Sequence, residues 1–167
     1  AQDVIDTMFS LSGENVVVVN SADDFPDAVG GVIELVPTPG AEIVYEIGAL
    51  NIDVGSNRFT VTGGEVVIRG LHRTASRITS STSDAMFTSV NSSFFQEFIA
   101  FDCPNAKVFD ITNPAGGFNS FANQNLVIIN CDTLGTISKP FVTSLRTMTV
   151  ITTQSGGFTF QDASNQI

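Results

Sequence analysis

The stretches EFIAFDCP (97–104) and NLVIINCD (125–132) share one pattern, a run of apolar residues followed by Asp or Asn and then by Cys. EVVIRG (65–70) has the same apolar spacing and ends in Gly, and TMTVIT (147–152) continues the series. Such segments are rich in β-branched and aromatic residues, which favour strands. They recur at intervals of roughly 20 to 35 residues, which is typical of a solenoid. The pattern predicts strands stacked as rungs, with Gly70 and the two cysteines in one column.

A second set of strands supports the same arrangement. AMFTSV (85–90) and KVFDIT (107–112) each carry an apolar residue and Phe at their second and third positions, and each is followed by Asn. GFTFQD (157–162) comes after the last segment of the first set. We therefore predict an all-β fold, a right-handed parallel β-helix. A β-sandwich of the jelly-roll type, whose strands also alternate, is the alternative that the pattern leaves open.

The composition indicates one folded domain over residues 1–167. Of the 167 residues, 43% are hydrophobic and only 14% are charged, which argues against disorder. Residues 1–57 contain acids but no Lys or Arg, so we divide the chain into an acidic N-terminal segment, 1–57, and stacked coils, 58–167. The net charge of −10 disfavours nucleic acid and anionic membranes as partners. No apolar run is long enough to insert across a membrane.

Helix signals are weak outside SADDFPDAV (21–29). Ser21 is a suitable N-cap, and Asp23 and Asp24 suit the first turn of a helix. We expect one short helix or turn at this position.

Two of the strands are apolar on both faces, which raises the question of what covers the outer one. If the cysteines point inward, Phe98 and Ala100 point outward on one strand, and Leu126 and Ile128 point outward on the next. A strand that is apolar on both faces must be covered on both. We therefore expect these four residues to form an interface between subunits.

The N-terminal half of the chain resembles a known family. The order is NVVVVNSADDFP (15–26), GVIEL (31–35), YEIGALNI (45–52), a Gly-Gly turn, and VVIRGLHRTASRI (66–78). This is similar to the opening of the pectate-lyase-like β-helix of bacteriophage tail spikes and tail fibres, and it covers about residues 15–80.

The resemblance implies a structural and adhesive protein of the virion tail. It implies a homotrimer, located outside the cell, that contacts other tail proteins and a host surface glycan. The function that we expect is virion attachment to the host surface. Because GFTFQDASNQI (157–167) reads as a further rung without a polar cap, we also expect the parent chain to be longer.

The alternative function is cleavage of a polysaccharide by a lyase or hydrolase of the same fold. Hydrolases need two carboxylates at a controlled separation, and the candidates are Asp102, Asp110 and Asp132. Asp102 aligns with Asn130 of the next rung, which is more typical of a hydrogen-bonded ladder than of a catalytic pair. There is no Trp and a single Tyr, Tyr45, so sugar-stacking rings are scarce. We favour a protein that is not an enzyme.

The basic residues Arg69, His72, Arg73 and Arg77 form a cluster in RGLHRTASR (69–77). We interpret it first as pairing with the acidic N-terminal segment, within one chain or between subunits. Solvated turn residues and a site for an acidic ligand are the other two interpretations.

The two cysteines, Cys103 and Cys131, are expected to stack in neighbouring rungs. Their separation would allow a disulfide, but buried cysteine also packs as a small apolar residue, and we favour reduced thiols. A metal site lacks further ligands, so we expect no metal and no cofactor.

Overall fold

The computed structural model describes residues 15–115, 117–138 and 142–161. Within these ranges the chain forms thirteen strands and one short 3-10 helix, Ala22–Asp24. The strands are β1 Asn15–Val19, β2 Val32–Glu34, β3 Glu42–Ile47, β4 Asn51–Asp53, β5 Arg58–Thr62, β6 Glu65–Gly70, β7 Arg77–Thr79, β8 Phe87–Val90, β9 Ser93–Glu97, β10 Ala100–Cys103, β11 Phe109–Thr112, β12 Ser120–Ser138 and β13 Val142–Gln161.

The strands pair in three parallel ladders, which form three faces of one coil. Face A consists of β1, β3, β6, β9 and the first parts of β12 and β13. Face B consists of β4, β7, β10 and the middle parts of β12 and β13. Face C consists of β2, β5, β8, β11 and the last parts of β12 and β13. The chain is therefore an all-β parallel solenoid of about 5 turns.

This arrangement confirms the predicted parallel β-helix over the jelly-roll sandwich, because all pairings between these strands are parallel, whereas a sandwich is built from antiparallel strands. The acidic N-terminal block contributes β1 to β4 to the same ladders. The division at residue 57 is thus one of charge and not of architecture. The handedness of the coil stays a prediction.

The corner between faces A and B is made by residues in the left-handed region. Phe98, Asn125 and Thr147 have φ values of 51°, 52° and 54°, and they occupy equivalent positions in three successive rungs. One left-handed residue turns the chain sharply from one parallel sheet to the next. Asn tolerates this conformation, whereas Phe and the β-branched Thr are strained in it. The stacked rungs on either side hold these residues in place.

A column of phenylalanine rings fills the interior beneath face C. Phe25 lies over Phe59 with ring centroids 5.1 Å apart, and Phe59 stacks on Phe87 at 5.0 Å. Phe87 stacks on Phe109 at 5.8 Å, and Phe109 on Phe158 at 6.1 Å. The β12 rung has Gly135 at the position between Phe109 and Phe158, so these two rings contact each other past a residue that has no side chain. The column therefore ties the turns together through apolar burial and ring contacts.

The predicted columns are partly correct. Cys103 lies opposite Cys131, and Phe87 lies opposite Phe109, as expected. The placement of Gly70 in the cysteine column is wrong, because β6 belongs to face A and β10 to face B. In every rung, inward and outward residues alternate along the strand. The apolar spacing of a strand on face A is therefore the same as that of a strand on face B, and the spacing does not reveal which face a strand joins.

The short helix predicted in 21–29 is confirmed as the 3-10 helix Ala22–Asp24. The carboxylate of Asp24 accepts hydrogen bonds from the backbone N–H groups of Asn20 at 2.8 Å and Ser21 at 2.9 Å. These bonds lower the pKa of Asp24. In the described part of the chain, no helix has the length and apolar character needed to cross a membrane.

Candidate functional site

The outer surface of face A carries two neighbouring columns of different chemistry. One column is mostly apolar and runs from Val44 to Ser144. Its members are Val44, Val67, Phe95, Ala122 and Ser144. The other column is polar and alternates in charge. Its members are Glu46, Arg69, Glu97, Gln124 and Arg146. Because strand residues alternate between the two sides of a sheet, both columns face outward. Val44 is covered at its end of the column and is only 5% exposed.

A groove of about 150 Å³ opens between these columns near the last described rungs. Ala122 and Ser144 are small, whereas Phe95 and the side chains of the polar column are long. The difference in size leaves the space. The residues around the groove are Phe95, Gln96, Glu97, Ala122, Asn123, Gln124, Ser144 and Arg146. We call this feature the face A groove.

The charges along the groove are only partly compensated. The Nε of Arg69 contacts Oε2 of Glu97 at 3.0 Å, and both side chains are about one third to two fifths exposed. Arg146, at the far end, is exposed, and no ion pair to it is found among the described residues. The groove therefore presents an uncompensated guanidinium on a protein of net charge −10.

Two buried amide side chains lie beneath the groove. Gln96 and Asn123 are opposite each other in β9 and β12, and both are buried. Neither end of either amide has a hydrogen-bond partner within the described ranges. Their neighbours in the same column, Ile68 and Leu145, are apolar. A buried amide in such surroundings lowers stability, since its polar atoms have left water without replacement bonds.

The three candidate catalytic acids lie apart in the fold. Asp102 is on face B, where its Oδ1 accepts a hydrogen bond from Nδ2 of Asn130 at 3.1 Å. This confirms the interpretation of that pair as a ladder. Asp110 is on face C and pairs with Nζ of Lys107 at 2.9 Å. Asp132 follows the cysteine rung of β12. Each acid has a different setting, and no group of three His, Cys, Asp or Glu residues suited to a metal occurs in the described part of the chain.

The basic cluster also separates into different roles. Arg69 lies in β6 and pairs with Glu97, which is outside the acidic segment 1–57; among residues 15–57 of that segment no ion pair to Arg69 is found. His72 and Arg73 are exposed in the turn after β6. The Nδ1 of His72 accepts hydrogen bonds from the N–H groups of Thr74 at 3.4 Å and Ala75 at 3.3 Å. These bonds indicate a local turn.

Arg77 begins β7 and is half-buried there. The four basic residues therefore lie in three consecutive elements, β6, the turn after it and β7. The other ion pair of this region joins Arg58 to Asp84 across 3.9 Å, and it too involves an acid beyond residue 57.

The expected interface residues need correction, because three of the four are buried by the chain itself. Ala100, Leu126 and Ile128 have no exposed surface, and the latter two belong to the core. The register shift between Phe101 and Asp102 places Phe101 opposite Ile128, so Ile128 points inward. Only Phe98, at the corner, is exposed, at 41%.

The cysteines are free and buried, which confirms the prediction of reduced, stacked thiols. Burial raises the pKa of Cys103 to about 12 and also raises that of Cys131. Such thiols are poor nucleophiles. Tyr45, the single tyrosine, is buried, and its hydroxyl donates to the carbonyl of Leu35 at 2.9 Å, so it is not a surface platform for a sugar.

The face A groove is not apparent from the sequence alone. SFFQE (93–97) and FANQ (121–124) each combine aromatic residues with an amide, which is the same mixture that lines the groove. It becomes readable only once β9 and β12 are known to be neighbours on one face.

The fold defines the chain as a parallel β-solenoid protein. Comparison with protein-family models, with curated proteins and with solved structures finds no match. The family resemblance of residues 15–80 is therefore an expectation that no relative supports.

Proposed function

We propose that this chain is a structural and adhesive module of a phage tail fibre or tail spike, which takes part in virion attachment to the host surface. The observation that carries the proposal is the continuous stack of about 5 turns, in which each strand pairs in parallel with its neighbours in the rungs above and below. Such a stack is stiff along its axis and presents regular columns of side chains on its outer faces. Attachment proteins need both properties.

The interior supports a mechanical role. The ring column extends from Phe25 to Phe158 through the described turns, and the inward residues Phe94, Phe101 and Phe121 pack around it. Pulling one rung from the next would expose these rings and break a row of parallel backbone hydrogen bonds at once. The module would therefore resist forces that separate one rung from the next.

The outer surface favours binding over cleavage. Asp102 and Asp110 lie on different faces, and each is engaged by another side chain. A hydrolase of this fold would need two carboxylates facing one glycosidic bond. The face A groove, by contrast, offers a mixture of aromatic, amide, hydroxyl and charged groups, which is the chemistry of a weak adhesive surface.

We further propose that the working form is a homotrimer and that other virion tail proteins and a host glycan are its partners. The exposed Phe98 at the corner of faces A and B is a natural contact for a second copy. Light scattering coupled to size exclusion tests the assembly. A mass near three times 17.7 kDa is expected, and a monomer at all concentrations would contradict the trimer.

Adhesion is tested with purified capsular polysaccharide and lipopolysaccharide from a panel of bacteria, immobilised and probed with the fluorescently labelled protein. Retention on a subset of these surfaces, with no shortening of the glycan chains on gels, is expected. Retention on none of them would contradict an adhesive role. Shortened chains would replace it with a depolymerase.

A further inference from the structure

We propose that the face A groove binds one carboxylated sugar unit, a hexuronic acid or a related acidic monosaccharide within a glycan. The inference rests on the proposed adhesive function and names the ligand class and the residues for it. Arg146 would bind the carboxylate, and Phe95 would contact the apolar side of the sugar ring. Gln124 and Glu97 would form hydrogen bonds with the sugar hydroxyls.

The size of the groove sets the first limit on the ligand. The groove is small, with a volume of about 150 Å³, and it is open to solvent on one side. This volume is below the roughly 300 Å³ at which pockets for drug-sized molecules begin. A single pyranose ring suits this volume, and the open side of the groove lets the neighbouring units of a polymer continue along the face.

The charge pattern sets the second limit. Arg146 is exposed and no ion pair holds it in the described ranges, whereas Arg69 is engaged by Glu97 at 3.0 Å. A guanidinium presents parallel N–H donors that match the two oxygens of a carboxylate. Because the protein has a net charge of −10, most of its surface would repel an anion, whereas the guanidinium of Arg146 would attract one. Binding should therefore weaken as the salt concentration rises.

The remaining lining groups favour a sugar over a simple anion. Oε2 of Glu97 is the oxygen that Arg69 contacts. The second oxygen has no hydrogen-bond partner among the described residues and would accept a hydrogen bond from a sugar hydroxyl. Gln124 is exposed and offers both a donor and an acceptor. Phe95 is half-buried, so its ring is fixed in place beside the small Ala122. A flat apolar patch next to hydroxyl-binding groups is complementary to a pyranose ring, which has one apolar side and a polar rim.

The experiment titrates the protein, followed by two-dimensional NMR, with methyl glucuronate, methyl glucoside and sodium sulfate in separate arms. Glucuronate should shift the signals of the groove residues, with a dissociation constant that rises with salt. Arg146→Gln should weaken glucuronate binding about tenfold or more. The matched control is Arg73→Gln, which removes the same charge from an exposed turn outside the groove and should leave binding unchanged. Ala122→Leu should fill the groove and abolish the shifts.

Three results would overturn the inference. They are an unchanged affinity in Arg146→Gln, equal loss in Arg73→Gln, and a sulfate response as strong as that of glucuronate, which would indicate a simple anion site. The failures of the two proposals are distinguishable. A trimer that adheres to glycan surfaces without groove shifts would reject only this inference. A monomer that adheres to none of the surfaces but binds methyl glucuronate in the groove would reject only the proposed function.

Discussion

Replacing Phe87 with Ala should remove the side chain on which the interior depends most. Phe87 is fully buried, and its ring lies 4.6 Å from that of Phe101, 5.0 Å from Phe59, 5.2 Å from Phe94 and 5.8 Å from Phe109, centroid to centroid. It is the point where rings from all three faces meet. The truncation would open a cavity that neighbouring rungs, fixed by backbone hydrogen bonds, are poorly able to close.

The magnitude follows from burial. An aromatic side chain removes about 150–250 Å² from water, and at about 25 cal/mol per Å² this is worth roughly 4–6 kcal/mol. Alanine keeps a part of that area, while the lost ring contacts add to the cost. We expect the free energy of unfolding to fall by about 4 kcal/mol, within the range for Phe→Ala in protein cores.

The assay is urea unfolding followed by circular dichroism at one fixed protein concentration. With a denaturant slope of about 2 kcal/mol/M, the midpoint should fall by about 2 M. The control is Leu71→Ala, since Leu71 is 64% exposed in the turn after β6 and its truncation should change stability by about 0.5 kcal/mol or less. Should Phe87→Ala fail to fold, Phe87→Leu keeps the test quantitative, with a smaller loss expected. A midpoint within about 0.3 M of the native one would refute the idea that the ring column ties the turns together.

Three further outcomes are expected. Gly135 has a φ of 128°, and an added Cβ would collide with the carbonyl oxygen of Phe109; Gly135→Ala should therefore cost about 2 kcal/mol or more in the same urea assay, and an unchanged midpoint would contradict this packing. Gln96→Leu replaces a buried amide without a partner by an apolar group of similar size, and thermal unfolding should show a gain of roughly 1–2 kcal/mol; a loss would mean that the amide is satisfied in solution. Cys103 and Cys131 should not react with a thiol reagent at pH 8 until denaturant is added, because burial raises the pKa of both thiols; rapid labelling of the native protein, measured by mass spectrometry, would show that the cysteine rung opens.

The groove and the buried amides could not be predicted from the sequence, because they depend on contacts between rungs. Phe95, Gln124 and Arg146 come from three different rungs and meet only because β9, β12 and β13 are successive neighbours on face A. The sequence around Gln124 and Arg146 contains no motif that indicates a binding site. Gln96 reads as an ordinary polar strand residue until its alternation relative to Phe94 places it inside the coil.

The sequence by itself determined the class of fold and several of its rungs. Repeated β-branched segments, with Cys103 and Cys131 at matching positions, were enough to predict parallel stacking, since equivalent side chains of a solenoid must occupy the same column. Only the tertiary structure decided which face each strand joins and which way its residues point. Gly70 moved to another face, and Ile128 turned inward through one register shift. Because the side-chain period of a strand is two, a shift of a single residue exchanges the inner and outer sets, and apolar spacing alone does not reveal it.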